Sequence, residues 1–189
     1  MKLLRNRLVM TVIGLAALGG IAVLSWAALD TAFHATSDYE FCTSCHAYAP
    51  IAAAYRESPH GGNNEVGFRA ACNDCHLPHD NAFHYFLIKA KHGIVDPTME
   101  LLKEPHEIDW HAIRERRTEF VYDSGCLECH KYLREATESN RRAFRSHRRY
   151  FDDPDDYSCV ECHDDAGHAR LGFHLEEHGW MKPEATEAP

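Results

Sequence analysis

Hydrophobic positions are spread very unevenly along this chain. From Leu8 to Ala28 there are 21 consecutive residues without a charge, preceded by Lys2, Arg5 and Arg7 and closed off just before Asp30. As a helix rising 1.5 Å per residue, that run would be about 31 Å long, which matches the hydrocarbon core of a bilayer. A cleaved secretory signal has a shorter apolar region of about 7–15 residues, so residues 1–29 read as an uncleaved transmembrane anchor. The basic flank keeps the N-terminus cytoplasmic and sends everything after Asp30 across the membrane.

Beyond the anchor the apolar positions form shorter groups. Phe83, Phe86, Ala90 and Ile94 recur at helical spacing, predicting an amphipathic helix over 80–95, between Pro78 and Pro97. Its polar face carries Lys89 and His92, and Asp96, which precedes a proline, falls at its end. Further helices are expected over 106–122 and 131–150, and residues 181–189 read as a polar tail. The fold class is mainly α: one N-terminal transmembrane helix plus a small domain of short helices and loops over residues 30–180.

The eight cysteines change this picture. All belong to four copies of Cys-x-x-Cys-His: Cys42, Cys45 and His46; Cys72, Cys75 and His76; Cys126, Cys129 and His130; Cys159, Cys162 and His163. This is the attachment pattern of c-type haem, in which two thiols bond one macrocycle and the following imidazole lies under its iron. Zinc uses paired cysteines too, yet gives no reason for a histidine after every second one. A domain of this size with four covalent haems builds its core on haem faces as much as on side chains, and it is a multihaem c-type cytochrome domain in kind. Attachment of this chemistry takes place outside the bacterial cytoplasmic membrane, in keeping with the anchor's orientation.

The motifs fall into two pairs, spanning 42–79 and 126–168. Their first cysteines are 30 and 33 residues apart within the pairs, and 54 residues separate Cys72 from Cys126. His60 and His147 each lie 12 residues before the second motif of their pair, which suggests a duplication placing them equivalently as distal iron ligands. His168 and His79 follow the second motif of each pair, and His168 is the better placed to reach another iron. The formal charge of −9, before any haem propionate is counted, argues against a nucleic-acid partner. The arginines between Arg141 and Arg149, followed by four aspartates from Asp152 to Asp156, read either as a solvated face or as a docking surface for a redox partner.

The stretch Glu40 to His46, then Tyr55 and His60, then Val66-Gly-Phe-Arg-Ala-Ala-Cys-Asn-Asp-Cys-His-Leu-Pro-His79, resembles the membrane-anchored tetrahaem quinol dehydrogenases that feed periplasmic nitrate, nitrite and related reductases. The likeness extends over the anchor, all four motifs and the Cys162-to-His168 ending. It implies a cytochrome of the bacterial inner membrane that exchanges electrons between the quinone pool and a periplasmic redox enzyme, within a hetero-oligomeric complex. It also implies that Lys89 and Asp96 line a quinol site beside the haem nearest the membrane. On chemical grounds Asp96, a carboxylate near membrane and haem, is the candidate proton acceptor, Lys89 would hold the ring oxygen or stabilise its developing negative charge, and His92 would relay the proton outward. His60, His147 and His168 match distal-ligand positions. One position departs from the pattern: Tyr48 stands where the family usually carries a methionine, leaving His46 as proximal ligand with the far side open or covered by Asp96. The same wire run in reverse, as a quinone reductase, and a small-ligand-binding haem protein are the alternatives.

Overall fold

The structure, a computed structural model, describes residues 2–181, and among these it contains helices, turns and no strand. The expected tail lies outside the described residues except for Met181. Helix α1 (Lys2–Ala35) contains a stretch, Arg5–Ala35, apolar enough to cross a membrane, with a mean hydropathy of 2.3 over its best window and no part of it buried within the protein. The helix runs six residues beyond Leu29, to Ala35, and the Thr31 and Thr36 hydroxyls each donate to the carbonyl four residues back.

Ten shorter helices follow: α2 (Tyr39–Cys42), α3 (Ala49–Glu57), α4 (Cys72–His76), α5 (Ala82–Leu102), α6 (Trp110–Glu115), α7 (Asp123–Cys129), α8 (Leu133–Glu138), α9 (Arg141–Asp152), α10 (Cys159–Cys162) and α11 (Leu171–Glu177). Three motifs ride on a short helix of their own, α4, α7 and α10, so their cysteines lie one turn apart on a single face. The first motif differs. Helix α2 stops at Cys42, and a 3-10 turn at His46–Tyr48 carries the chain into α3.

The helix expected over 80–95 is longer than its pattern suggested. Asn81 caps it by accepting from the His84 amide at 2.8 Å, and it continues through Pro97 to Leu102. An interior proline loses one hydrogen bond and costs about 3 kcal/mol or more. The bond is lost at the Gly93 carbonyl, and the turn beyond Pro97 is held by Glu100, which accepts from the His46 amide at 3.0 Å. Asp96 is therefore inside the helix, one step along a continuous face. The helix expected over 106–122 is instead α6 flanked by two 3-10 turns, and that over 131–150 is broken into α8 and α9. The break is at Asn140, whose side chain accepts from the amides of Arg142 and Ala143 and so starts a new helix.

Side-chain packing alone supplies little core. Three of the buried apolar side chains, Trp110, Leu175 and Met181, form a compact cluster with Ile51, Ile108, Ile113, Leu171 and Trp180 around it, while Ala52, Ala54, Tyr55, Ala70, Leu77 and Val160 are buried outside it. Trp110 and Trp180 stack at 6.4 Å, and the Trp110 indole donates to the Pro105 carbonyl at 2.8 Å. Helix α11 is fixed to α3 by a bidentate pair between Arg170 and Glu57, and the Arg170 guanidinium holds the Glu57 carboxyl below its ordinary pKa.

Two glycines allow backbone to touch backbone near the motifs. A Cβ at Gly61 would lie 1.7 Å from the Tyr55 carbonyl oxygen, so only glycine lets the turn carrying His60 fold against α3. A Cβ at Gly125 would lie 1.9 Å from the Asp74 carbonyl oxygen, where α4 and α7 meet. Gly125→Ala is expected to force the second and third motifs apart at a cost of roughly 1–3 kcal/mol. Thermal unfolding of the full-length protein reads this as a lowered midpoint, and an unchanged midpoint would mean the two segments separate freely.

Candidate functional site

Three histidines that follow a motif face a second histidine. His130 meets His60 with ring centres 6.2 Å apart, His76 meets His168 at 6.0 Å, and His163 stacks on His147 at 6.0 Å with 19° between planes. A metal held between two imidazole nitrogens at about 2.0–2.1 Å each leaves the ring centres about 6 Å apart. The rings are also oriented for it. Nδ1 of His60 is 2.9 Å from the Ala166 carbonyl, that of His76 is 2.8 Å from Phe120, that of His147 is 2.9 Å from Ala143 and that of His168 is 3.3 Å from Ile51. A ring nitrogen facing a carbonyl carries the proton, which leaves Nε2 with a free lone pair for iron. Burial adds to this by lowering the pKa of His76, and of His168 to about 4, so both are neutral. Separation, tautomer and charge all fit haem iron.

The pairing does not follow the sequence halves. His60 belongs to the first half and reaches the first motif of the second, while His168 returns from the end of the chain to the second motif. Only His147 faces a motif histidine of its own half, His163, and the break at Asn140 folds its helix α9 back onto α8. His79 lies at the junction of α4 and α7, its amide donating to the Ser124 hydroxyl and its ring against Tyr85.

The motifs themselves form a row. The Cys42 and Cys72 thiols lie close enough for each to shift the other, lowering the pKa of Cys42 and raising that of Cys72. Cys126 and Cys159 stand in the same relation, with Cys126 lowered and Cys159 raised. Cys75, pushed up to about 11 by burial and then by Cys126, joins the second motif to the third. The order is therefore first, second, third, fourth. Asp123 also approaches Cys126 and Cys159, a grouping with metal-ligand character. Its carboxylate is already used, accepting from the Cys159 amide at 3.0 Å and the Ser158 hydroxyl at 3.0 Å, and both sulfurs belong to attachment motifs.

Around the first motif α5 presents a polar ridge of Lys89, His92, Asp96 and Glu100, spaced so that all four share one helix face. The Lys89 ammonium donates to the Phe33 carbonyl at 2.8 Å, the Thr36 carbonyl at 3.3 Å and the Ser37 hydroxyl. These groups end α1, so Lys89 satisfies carbonyls left open where the membrane helix stops, and Phe86 stacks on Phe33 beside it. Partial burial there lowers the Lys89 pKa. His92 Nδ1 donates to Asp96 at 3.2 Å. Burial, and then the Asp96 carboxylate beside it, pushes the Tyr48 phenol well above its ordinary pKa, so Tyr48 keeps its proton. Glu100 accepts from both the amide and Nδ1 of His46. The ring next to His46 is Trp180, at 6.5 Å. Sequence reasoning missed Glu100, since reading Pro97 as the end of the helix removed it from the face that Lys89 and Asp96 define.

An apolar membrane helix, four Cys-x-x-Cys-His motifs in a row and imidazoles paired at iron-spanning distance define a membrane-anchored multihaem c-type cytochrome. More particularly, residues 4–172 match the family described as NapC/NirT cytochrome c family, N-terminal region, and the chain belongs to that family. It is 28% identical to the cytochrome c-type protein NapC of Paracoccus pantotrophus over 90% of this chain and 76% of that one. It is 30% identical to a putative tetraheme cytochrome-c type protein of Allochromatium vinosum, covering 86% and 90% of the two chains. The tetraheme c-type cytochrome CymA of Shewanella oneidensis is 28% identical over 78% of this chain and 84% of its own. No solved structure matches the chain.

Exchanging His60, His147 or His168 for alanine, one at a time, is expected to leave four haems attached and to convert one of them from low spin to high spin. Visible absorption and electron paramagnetic resonance report the change. A variant whose spectra stay those of the parent would remove that histidine from the ligand set.

Proposed function

We propose that this cytochrome oxidises quinol at the outer face of the bacterial inner membrane and delivers the electrons to a periplasmic redox enzyme, as the electron-transfer subunit of a larger complex. In this reading residues 1–29 anchor the chain with a cytoplasmic N-terminus, and residues 30–180 form the periplasmic domain. The observation that carries it is the position of the α5 ridge, which joins the end of α1, through Lys89, to the first motif, through Asp96 and Glu100. A lipid-soluble donor leaving the bilayer along α1 meets polar groups at that point, within reach of the first attachment site.

Haem c, held by Cys42 and Cys45, Cys72 and Cys75, Cys126 and Cys129, and Cys159 and Cys162, supplies a series of one-electron acceptors when bound. His46, His76, His130 and His163 would hold the irons from the motif side, and His168, His60 and His147, which face His76, His130 and His163, would supply second imidazoles. The remaining work falls to the ridge. Quinol must lose two protons as well as two electrons, and Asp96 is the acceptor placed to take a proton from a ring hydroxyl. The His92 imidazole, hydrogen-bonded to Asp96, passes that proton toward solvent. Lys89 keeps the mouth of the site at the end of α1 and offers positive charge to the ring oxygen as it becomes negative. Tyr48, protonated, orients the Asp96 carboxylate.

The test is anaerobic addition of a quinol to the oxidised protein in lipid, following the haem absorption. Reduction is expected in the parent chain, slowed about 10²–10⁴-fold in Asp96→Asn, the usual contribution of a positioned acid–base group. If the parent haems stay oxidised while the reduced protein reduces added quinone, electrons run in the opposite direction. Reduction at parent rate in the variant would take Asp96 out of the reaction.

A further inference from the structure

Five of the histidines read as iron ligands have their Nδ1 engaged, and the partners are not equivalent. His60, His76, His147 and His168 face neutral backbone carbonyls. His46 faces a carboxylate, that of Glu100, whose side chain is only 18% exposed and whose Oε1 also accepts from the His46 amide at 3.0 Å. The two residues are 54 positions apart in sequence, brought together only because α5 continues past Pro97.

We infer that Glu100 is a positioning residue for the first haem: it fixes the His46 ring with Nε2 toward the iron and lowers the reduction potential of that haem relative to one whose proximal histidine bonds a carbonyl. The physics follows from where charge resides. A carboxylate accepting from Nδ1–H draws the proton toward itself and makes the ring a more basic, partly anionic donor. Such a ligand favours the ferric ion over the ferrous ion, because the ferric state carries the extra positive charge. Shielding of the Glu100 side chain from water strengthens the effect. A neutral carbonyl does much less. The first haem is thereby set apart from the second, whose motif histidine His76 faces the Phe120 carbonyl, and the Trp180 ring beside His46 is a further difference. This inference rests on the reading of the four motifs as haem sites and of the first as the entry point for electrons.

The experiment uses the full-length, haem-loaded chain in detergent or lipid, with haem content counted first by the pyridine haemochrome spectrum. Redox titrations followed by visible absorption and electron paramagnetic resonance then give four midpoints for the parent, Glu100→Gln and Glu100→Asp. The expected result is an upward shift of one midpoint in Glu100→Gln, three midpoints unchanged, and a value nearer the parent in Glu100→Asp, which keeps the charge. The haem that shifts should keep its response in proteins lacking His60, His147 or His168. Four attached haems with no midpoint moved, or a shift confined to a haem that one of those three exchanges converts to high spin, overturns the assignment. Should the amide variant fail to load haem, Glu100→Asp decides alone: the parental set of midpoints with restored loading supports the carboxylate, and loss of loading there too assigns Glu100 to folding instead. Failure of the functional reading looks different, since quinol would then leave the parent haems oxidised whatever residue 100 is.

Discussion

The most consequential interaction in this protein is a modest one, the hydrogen bond between a histidine Nδ1 and a backbone carbonyl. It is made at His60, His76, His147 and His168, and three of the four carbonyls lie far away in sequence. Each bond fixes a ring plane and a tautomer, and the backbone that supplies the carbonyl must be in place first. The folded loops thus act as the template for iron coordination. The dependence also runs the other way, because so few side chains are buried that ligation and haem contact must provide most of the cohesion a larger core would give.

Cross-coverage between the halves follows from the same economy. With His60 facing His130 and His168 facing His76, neither half can complete its ligand sets alone. The close approach at Gly125 puts α7 directly on α4, and the cysteine contacts string the motifs into a single file. A wire of one-electron carriers needs short gaps, and here backbone contact sets them. Helix α5 then fastens one end of that file to the membrane helix. Its proline is a local cost accepted because the turn beyond it carries the contact to His46.

Tyr48 and His46 show how the first motif is arranged. A protonated phenol beside Asp96 holds a carboxylate in position, while His46, tied to Glu100, provides the imidazole. The first motif, which has no helix of its own, has charged neighbours in Lys89, Asp96 and Glu100, whereas the histidine of each of the other three motifs faces a second imidazole.

The sequence by itself determined the chemistry. Four Cys-x-x-Cys-His words account for every cysteine, a 21-residue uncharged run specifies the anchor, and both are legible because they are local in the chain. The candidate distal histidines were legible too, from their spacing, as were Lys89 and Asp96 from a family pattern. Which histidine faces which, and the place of Glu100, were decided only by tertiary structure. Local spacing made His60 and His147 look equivalent, yet one sits on a 3-10 turn folded against α3 and the other on a long helix reversed at Asn140. The local rule for the residue before a proline ended α5 too early, because it contains no knowledge of the distant amide and ring of His46 that hold the last turn. Contacts across 54 to 117 residues leave no period in the sequence; they exist only once the chain has closed on itself.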